Sequence, residues 1–374
     1  MKLLYLLHKI DVGGVTTVLI NKLNYLINTF NYEVLILVET SINIDLASQF
    51  DEKIVIKKFN QNVYQNLPNV PLVQEYIINK RLRKELLEIL NSYKPNIICD
   101  VGWGYNTIVV PSLNNVITVR EYHESYRSQK YVKSYKGLNL YDRLRSAYSR
   151  GLEKFYTRTV SLTAKDASHR DYLNIKPFVI ANPLAKLPSP NNRVRKKIVL
   201  GVGVLNKRKN FIEMLQIWAK LYSDFPDWEL HIYGKDYGEY ENLHSYILSH
   251  NLQDVVYLKG HTYSITEKLQ ESSALFCTSL SEGLPMMLLE GQQMGLPIIS
   301  YDCDCGPSDI INDGSDGYLV PLQNQKIFID KARILLSDEK MRLRMGENAI
   351  INARLFSIEK IAEKWDAFYK NLVK

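Results

Sequence analysis

Twice along the chain, short apolar runs alternate with segments whose apolar residues recur at helical spacing, and that alternation leaves few architectures open. Lys2–Leu7, Glu33–Val38, Asn96–Asp100, Val116–Arg120, Thr159–Thr163 and Pro177–Ala181 read as strands, and Val15–Ile27 and Val73–Leu90 read as helices. A helical segment between successive strands calls for parallel pairing, because a tight hairpin can only join antiparallel neighbours. The expected product is a doubly wound α/β sheet with ligands gathered at the carboxyl ends of its strands. The series restarts at Ile198–Val204 and runs on through Glu229–Tyr233, Val255–Leu258, Leu275–Thr278, Ile298–Tyr301 and Tyr318–Val320. Between the two series, Pro188, Pro190, Asn191 and Asn192 give a linker composition. A chain of 374 residues is also too long for one ordinary core. The expected division is therefore a first α/β domain over 1–183, a linker over 184–196 and a second α/β domain over 197–355. A last helix over 356–374 follows, with Ile358, Ile361, Trp365, Phe368 and Leu372 on one face.

Candidate chemistry concentrates where strands hand over to helices. The stretch from Ser281 to Gly291 follows the apolar run Ala274-Leu275-Phe276-Cys277 and reads as strand, tight loop and helix. Gly283 permits a sharp or left-handed turn, and Pro285 suits the first turn of a helix. A helix start offers unpaired amides and the positive end of the dipole, a seat for phosphate. Glu282 in the loop and Glu290 in the helix could then grip hydroxyls on either side of a diphosphate. They fit equally well an ordinary helix start with one acid complementing the dipole and another in solvent.

In the second series, Lys207-Arg208-Lys209 precedes a helix whose stripe is Phe211, Leu215, Trp218 and Tyr222. Three cations at a positive dipole end are unfavourable unless an anion such as a diphosphate lies among them. In the first series, Gly13-Gly14 stands before a helix, where a phosphate or sugar could approach the backbone. His123 follows a strand directly, in Arg120-Glu121-Tyr122-His123-Glu124, and His8 ends the first strand. Residues 120–158 interleave arginines and lysines with tyrosines, which suits either a solvated helical face or an anionic membrane surface. Nucleic acid is not expected, since no recognition motif accompanies the charge.

Composition sets outer bounds. With 46% hydrophobic and 23% charged residues the chain is globular, and no apolar run approaches the length needed to span a bilayer. The first residues read as a strand and not as a signal peptide. Four cysteines without metal-type spacing fit reduced thiols in a cytoplasm. A formal charge of +7 allows attraction to anionic lipids or glycans.

The spacing Glu282-x7-Glu290, preceded by Ser281 and followed by Gly295-Leu296-Pro297-Ile298-Ile299, resembles the signature of retaining glycosyltransferase family 4, whose fold is GT-B. The resemblance implies two Rossmann-like doubly wound domains with a cleft between them, and a last helix crossing back to the first domain. It implies that Glu290 holds the ribose of a nucleotide-sugar, UDP-linked by expectation, and that Glu282 approaches the transferred sugar. The backbone of Gly283, Leu284, Met286 and Met287 would hold the diphosphate. Lys209 fits the family's phosphate-gripping lysine, while Val204 stands where the family usually has arginine, so that either Arg208 or Lys207 supplies that charge from the loop or donor binding is weak. Gly13 and Gly14 would border donor and acceptor, and His123 would contact the sugar near its reacting centre.

The implied activity is hexosyl transfer to a hydroxyl of a glycan or lipid-linked acceptor, with retained configuration and no metal or other cofactor. The implied setting is bacterial envelope or capsule polysaccharide synthesis in the cytoplasm, at the inner face of the membrane. Asp302-x-Asp304 superficially resembles the metal motif of a different glycosyltransferase fold, and no metal is expected there. Gly306-Pro307-Ser308-Asp309-Ile310-Ile311 matches a family loop in which Asp309 is expected to cap. Two alternatives stay open at this stage: another GT-B activity such as nucleotide-sugar epimerisation, and a non-catalytic partner subunit.

Overall fold

The computed structural model describes the chain except residues 103, 127–139, 172–174, 187–194 and 263, and the side chains of 140–142. It divides into two compact units. The first comprises Met1–Tyr126, the described residues from 140 to Ala185, and Ile358–Lys374; the second comprises the described residues of Lys186–Ser357.

The first unit is built on seven parallel strands: β1 (Lys2–Leu7), β2 (Glu33–Val38), β3 (Val55–Lys58), β4 (Ile97–Val101), β5 (Ile117–Glu121), β6 (Arg158–Ser161) and β7 (Phe178–Val179). Their order in the sheet is β3-β2-β1-β4-β5-β6-β7, so the order reverses between β1 and β4. The longer helices of this unit are α1 (Gly14–Phe30), α2 (Pro71–Tyr93) and α3 (Leu140–Leu152). The second unit has β8 (Ile198–Val202), β9 (Glu229–Tyr233), β10 (Val256–Gly260), β11 (Ala274–Cys277), β12 (Ile298–Asp302) and β13 (Gly317–Pro321). Its order is β10-β9-β8-β11-β12-β13, with the reversal between β8 and β11. Its helices of eight residues or more are α4 (Phe211–Trp218), α5 (Tyr240–Ser249), α6 (Met286–Gln293), α7 (Gln325–Ser337) and α8 (Glu339–Ala353). The final helix, α9 (Ile358–Val373), belongs to the first unit and packs on α1.

The physical reason for α9's place is its apolar stripe. Ile358, Ile361, Trp365 and Phe368 are buried in one cluster with Leu3, Tyr5, Leu23 and Ile36. The same pairing of apolar strands with amphipathic helices builds the second core, in which Trp218 of α4 is fully buried beside Phe276 and Phe328.

Several local expectations are corrected. Strand β3 was not anticipated, because Val-Ile-Lys-Lys is half polar and lies at the sheet's edge. Strand β7 is two residues long, and both its side chains are about half exposed. Helix α4 stops at Trp218, before Tyr222. Of the tyrosines in 120–158, Tyr122 and Tyr156 are core residues and not a surface. Tyr156 donates to Asp100, which also takes a 2.9 Å bond from buried Arg120, and Tyr122 donates to Glu153 at 2.8 Å. Residues 127–139, and with them Lys130, Lys133 and Lys136 of the basic segment, lie outside the described residues.

Candidate active site

In the second unit, the loops after β8 and β11 meet at the reversal of strand order, the place where an open α/β sheet leaves a crevice. The loops are tied together by backbone: the Leu280 amide donates to the Arg208 carbonyl at 2.8 Å, and the Thr278 hydroxyl donates to the Asn210 carbonyl at 3.0 Å. Asn206 shapes the first loop by accepting from the Lys209 amide at 3.0 Å. Asn210 then turns the chain into α4 with a left-handed backbone, φ 53°.

This geometry brings Arg208, Lys209 and Glu282 together. Lys209 Nζ lies 2.6 Å from Glu282 Oε1, and Arg208 Nη1 lies 2.9 Å from Glu282 Oε2 and 2.7 Å from the Ser281 carbonyl. Glu282 is buried. Burial alone would raise its pKa, but the Lys209 ammonium, the Arg208 guanidinium and a Ser279 hydrogen bond outweigh it and hold the carboxyl down at about 2. Two cations against one carboxylate leave the cluster with one net positive charge. The unfavourable placement of cations before a helix is thus partly relieved from within, by Glu282. Gly203 is needed for the approach: its φ is +154°, and an added Cβ would lie 2.9 Å from Lys209 Cε. Val204, where the resemblance expected arginine, leaves the guanidinium to Arg208, four residues further on.

Beyond Glu282 the chain enters α6 with Pro285 at the N-cap, one position before the helical turn where sequence placed it. Gly283 does not take the left-handed backbone that sequence allowed; Gly306 does, at φ +97°, and an added Cβ there would lie 2.8 Å from the Gly283 carbonyl. Leu284 is buried, while Met286 and Met287 supply the first helical amides, which have no acceptor within their own helix. Glu290 is the fifth residue of α6 and half-buried. Burial pushes its carboxyl up to about 7, and among the described residues it has no hydrogen-bond partner. Asp309 caps the next short helix by accepting from the Gly306 amide at 3.2 Å. All four cysteines are free thiols.

In the first unit, Gly13 and Gly14 open α1 after β1, are exposed, and have space for a Cβ on either residue. His123 stands two residues past the end of β5, with its side chain 5% exposed and Nε2 3.4 Å from Glu121 Oε2. Sequence reasoning did not foresee that Glu121 is the hub of a buried cluster, or that Glu39 at the end of β2 pairs with His8 at 2.8 Å. Glu39 also accepts from the Asn106 amide at 2.9 Å, at the reversal between β1 and β4. Gly104, with φ +147°, is forced there because a Cβ would collide with the Glu39 carboxylate. The signal for both acids was their position, each at the carboxyl end of a buried strand, where a charge is expensive unless it has work.

Comparison with known proteins bears most strongly on the second unit. Residues 185–351 match the family model described as "Glycosyl transferases group 1". The chain is 33% identical over 193 residues to the amylovoran biosynthesis glycosyltransferase AmsD of Erwinia amylovora, covering 52% of this chain and 53% of that one. It is 30% identical over 188 residues to an uncharacterized glycosyltransferase of Haemophilus influenzae, covering 50% and 53%. The chain thus spans about half the length of the curated relatives it matches. Among solved structures, HepE of Anabaena in complex with UDP superposes with a TM-score of 0.79 at 15% identity, covering 99% of this chain and all of that one. A likeness that covers both units at so low an identity is a likeness of fold. The chain has the GT-B fold, and its residues 185–351 match the group 1 glycosyl transferases.

Proposed function

We propose that this protein is a retaining, metal-independent glycosyltransferase of family 4, moving a hexose-type sugar from a UDP-sugar to a hydroxyl of a glycan or lipid-linked acceptor in bacterial envelope or capsule synthesis. The observation that carries the reading is the cluster at the β8/β11 reversal: a buried carboxylate clamped by two cations, followed in the helix after it by a half-buried carboxyl without a partner among the described residues. In this reading Glu290 accepts from the ribose hydroxyls, and the amides of Leu284, Met286 and Met287 face the diphosphate. Lys209 spends one of its three donors on Glu282 and meets the diphosphate with the others. As the anomeric C–O bond breaks, the electron pair goes to the leaving diphosphate, where Lys209, Arg208 and the helix amides stabilise it without a metal. The acceptor oxygen bonds to the same face of the anomeric carbon and its proton passes to the leaving phosphate. Glu282 is a poor nucleophile for a covalent route, because two cations already hold its lone pairs; it positions sugar hydroxyls instead.

In the first unit, Gly13, Gly14 and His123 are assigned to sugar and acceptor contacts. The names of the relatives support the class of activity, and the UDP in the HepE complex supports the donor base. The test is a thermal-shift screen over nucleotide-sugars, followed by turnover of the stabilising donor with EDTA present and NMR of the product's anomeric proton. Stabilisation by one UDP-sugar, turnover in EDTA and an unchanged anomeric configuration are expected. Donor turnover in the absence of any acceptor would instead favour an epimerase, and no stabilisation by any donor would favour a non-catalytic subunit.

A further inference from the structure

Glu121 ends β5, and the groups that surround it come from every element packed around that strand end. Lys22 of α1 places Nζ 2.6 Å from Glu121 Oε2, with both side chains almost wholly buried. The same ammonium lies 4.0 Å over the ring of Trp365 in α9 and 5.0 Å over that of Tyr5 in β1. The Tyr5 hydroxyl donates to Glu121 Oε1 at 2.9 Å and lies 2.6 Å from the Tyr369 hydroxyl, itself 3.3 Å from that oxygen. The Cys99 thiol of β4 stands 3.5 Å from Tyr369. Burial would raise the Glu121 pKa, but Lys22 and His123 hold it at about 2, so the group is a carboxylate.

A carboxylate can only accept hydrogen bonds. His123 Nε2 lies 3.4 Å from that carboxylate without closing a hydrogen bond in this geometry, and of the two neutral tautomers only the one with the proton on Nε2 sets a donor against Glu121 and leaves Nδ1 its lone pair. Nδ1 is buried and has no hydrogen-bond partner among the described residues. A buried acceptor in that state is costly until a donor reaches it.

We propose that Glu121 is the positioning residue for His123: held by Lys22 and by the Tyr5–Tyr369 pair, it fixes the ring with its proton on Nε2 and presents Nδ1 as an acceptor for a hydroxyl of the bound sugar. Through Tyr369 and Trp365 the C-terminal helix takes part in setting that ring. The inference rests on the reading of His123 as a sugar contact, and the test separates the two.

Nitrogen NMR of the full chain with labelled histidines reports the tautomer directly, with the His123 signals identified by their loss in His123→Gln. At neutral pH the wild type is expected to show the Nε2–H tautomer. Glu121→Gln, whose amide can donate to the ring, is expected to move His123 toward Nδ1–H. With the identified donor, the same variant should lower kcat about 100-fold, as a misplacement of about 1 Å does. KM should change little, because the nucleotide is held by the second unit. An Nδ1–H or doubly protonated ring in the wild type, or His123 signals unchanged in Glu121→Gln, would overturn the proposal. If Glu121→Gln does not fold, the wild-type tautomer still decides, and Tyr369→Phe, which keeps the Lys22–Glu121 pair, should still shift the His123 signals. A tautomer that moves while kcat stays level upholds the role of Glu121 and removes His123 from the sugar. A collapse of kcat with the tautomer unmoved overturns the proposal, since Glu121 would then act other than through His123.

Discussion

Two carboxylates in one stretch of chain are driven in opposite directions. Glu282 is held at about 2 by its cations, and Glu290 is raised to about 7 by burial without compensation. If Glu290 binds ribose hydroxyls, it must do so ionised, because only the carboxylate offers both oxygens as acceptors. Affinity for a UDP-sugar should therefore rise with pH and level off above about 7, falling about tenfold per unit well below that by proton linkage. Glu290→Gln should flatten the profile, and Glu290→Ala should weaken binding by about 1.5–3 kcal/mol for a charged hydrogen bond. Calorimetry between mildly acidic and mildly basic buffers measures both. The stability sign is opposite: a raised carboxyl binds protons more tightly folded than unfolded, so Glu290 takes stability away as pH climbs from its ordinary value toward about 7. At the cations, Lys209→Ala should cost the most turnover, in the range of about 100–1,000-fold for a preorganised donor. Arg208→Ala should cost less and Lys207→Ala little, since Lys209 and Arg208 form the ion pairs with Glu282 at 2.6 and 2.9 Å. Single-turnover assays of the three variants check the order, and equal rates in all three would place the diphosphate elsewhere.

At the level of elements, the sequence was readable wherever local pattern and burial agree. The strands that became β1, β2 and β9 were legible to the residue, β1 and β2 as runs of buried apolar side chains and β9 by alternation, with Leu230 and Ile232 buried between Glu229 and His231. Strand β3 was hidden because an edge strand needs no apolar alternation. The handover at Glu282 was legible as loop then helix, yet its pairing with Lys209 was not, since the partners are 73 residues apart and only the parallel order of β8 and β11 brings them together. The Glu121 cluster was invisible for the same reason: Tyr369 reaches it across 248 residues. Helix α9 supplies the strongest test at this scale. Trp365 is buried against Phe368, Tyr369 and Lys22, so Trp365→Ala combines a large cavity with the loss of a cation–π contact. A loss of about 3–5 kcal/mol from the first unit is expected. Hydrogen exchange resolves it, with faster exchange in β1, β4 and α1 and little change in β8 to β13, because unfolding of two separate cores need not be one transition.

For the molecule as a whole, the charge of +7 is small for 374 residues, so what matters is where it lies relative to exposed apolar surface. Among the described residues no helix is long and apolar enough to cross a membrane. On the first unit, a cavity of about 990 Å³ is lined by Leu72 and Tyr76 of α2, Leu144 and Tyr148 of α3, and Ile108 and Val109 between them. Leu72, Tyr76, Leu144 and Tyr148 are each 60% exposed or more. Among the described lining residues, Lys80, Arg83 and Arg145 border them against one acid, Glu75, which Arg145 already engages at 2.7 Å. Apolar side chains rimmed by surplus cations suit the headgroup region of an anionic bilayer, where each basic residue contributes about 1 kcal/mol. The docking expected of residues 120–158 is therefore proposed here for α3 together with a face of α2 that the sequence did not single out. Vesicles containing anionic phospholipid should bind the protein at low salt and release it as ionic strength approaches about 1 M, where the Debye length falls to about 3 Å. Lys80→Glu with Arg83→Glu should abolish that binding, and Leu144→Ser with Tyr148→Ser should weaken it at every salt concentration, because burial of apolar area is not screened. Donor hydrolysis should survive both pairs, since none of the four residues touches the β8/β11 cluster. Equal binding to neutral and anionic vesicles, or loss of anionic binding in neither pair, would take the membrane away from this face.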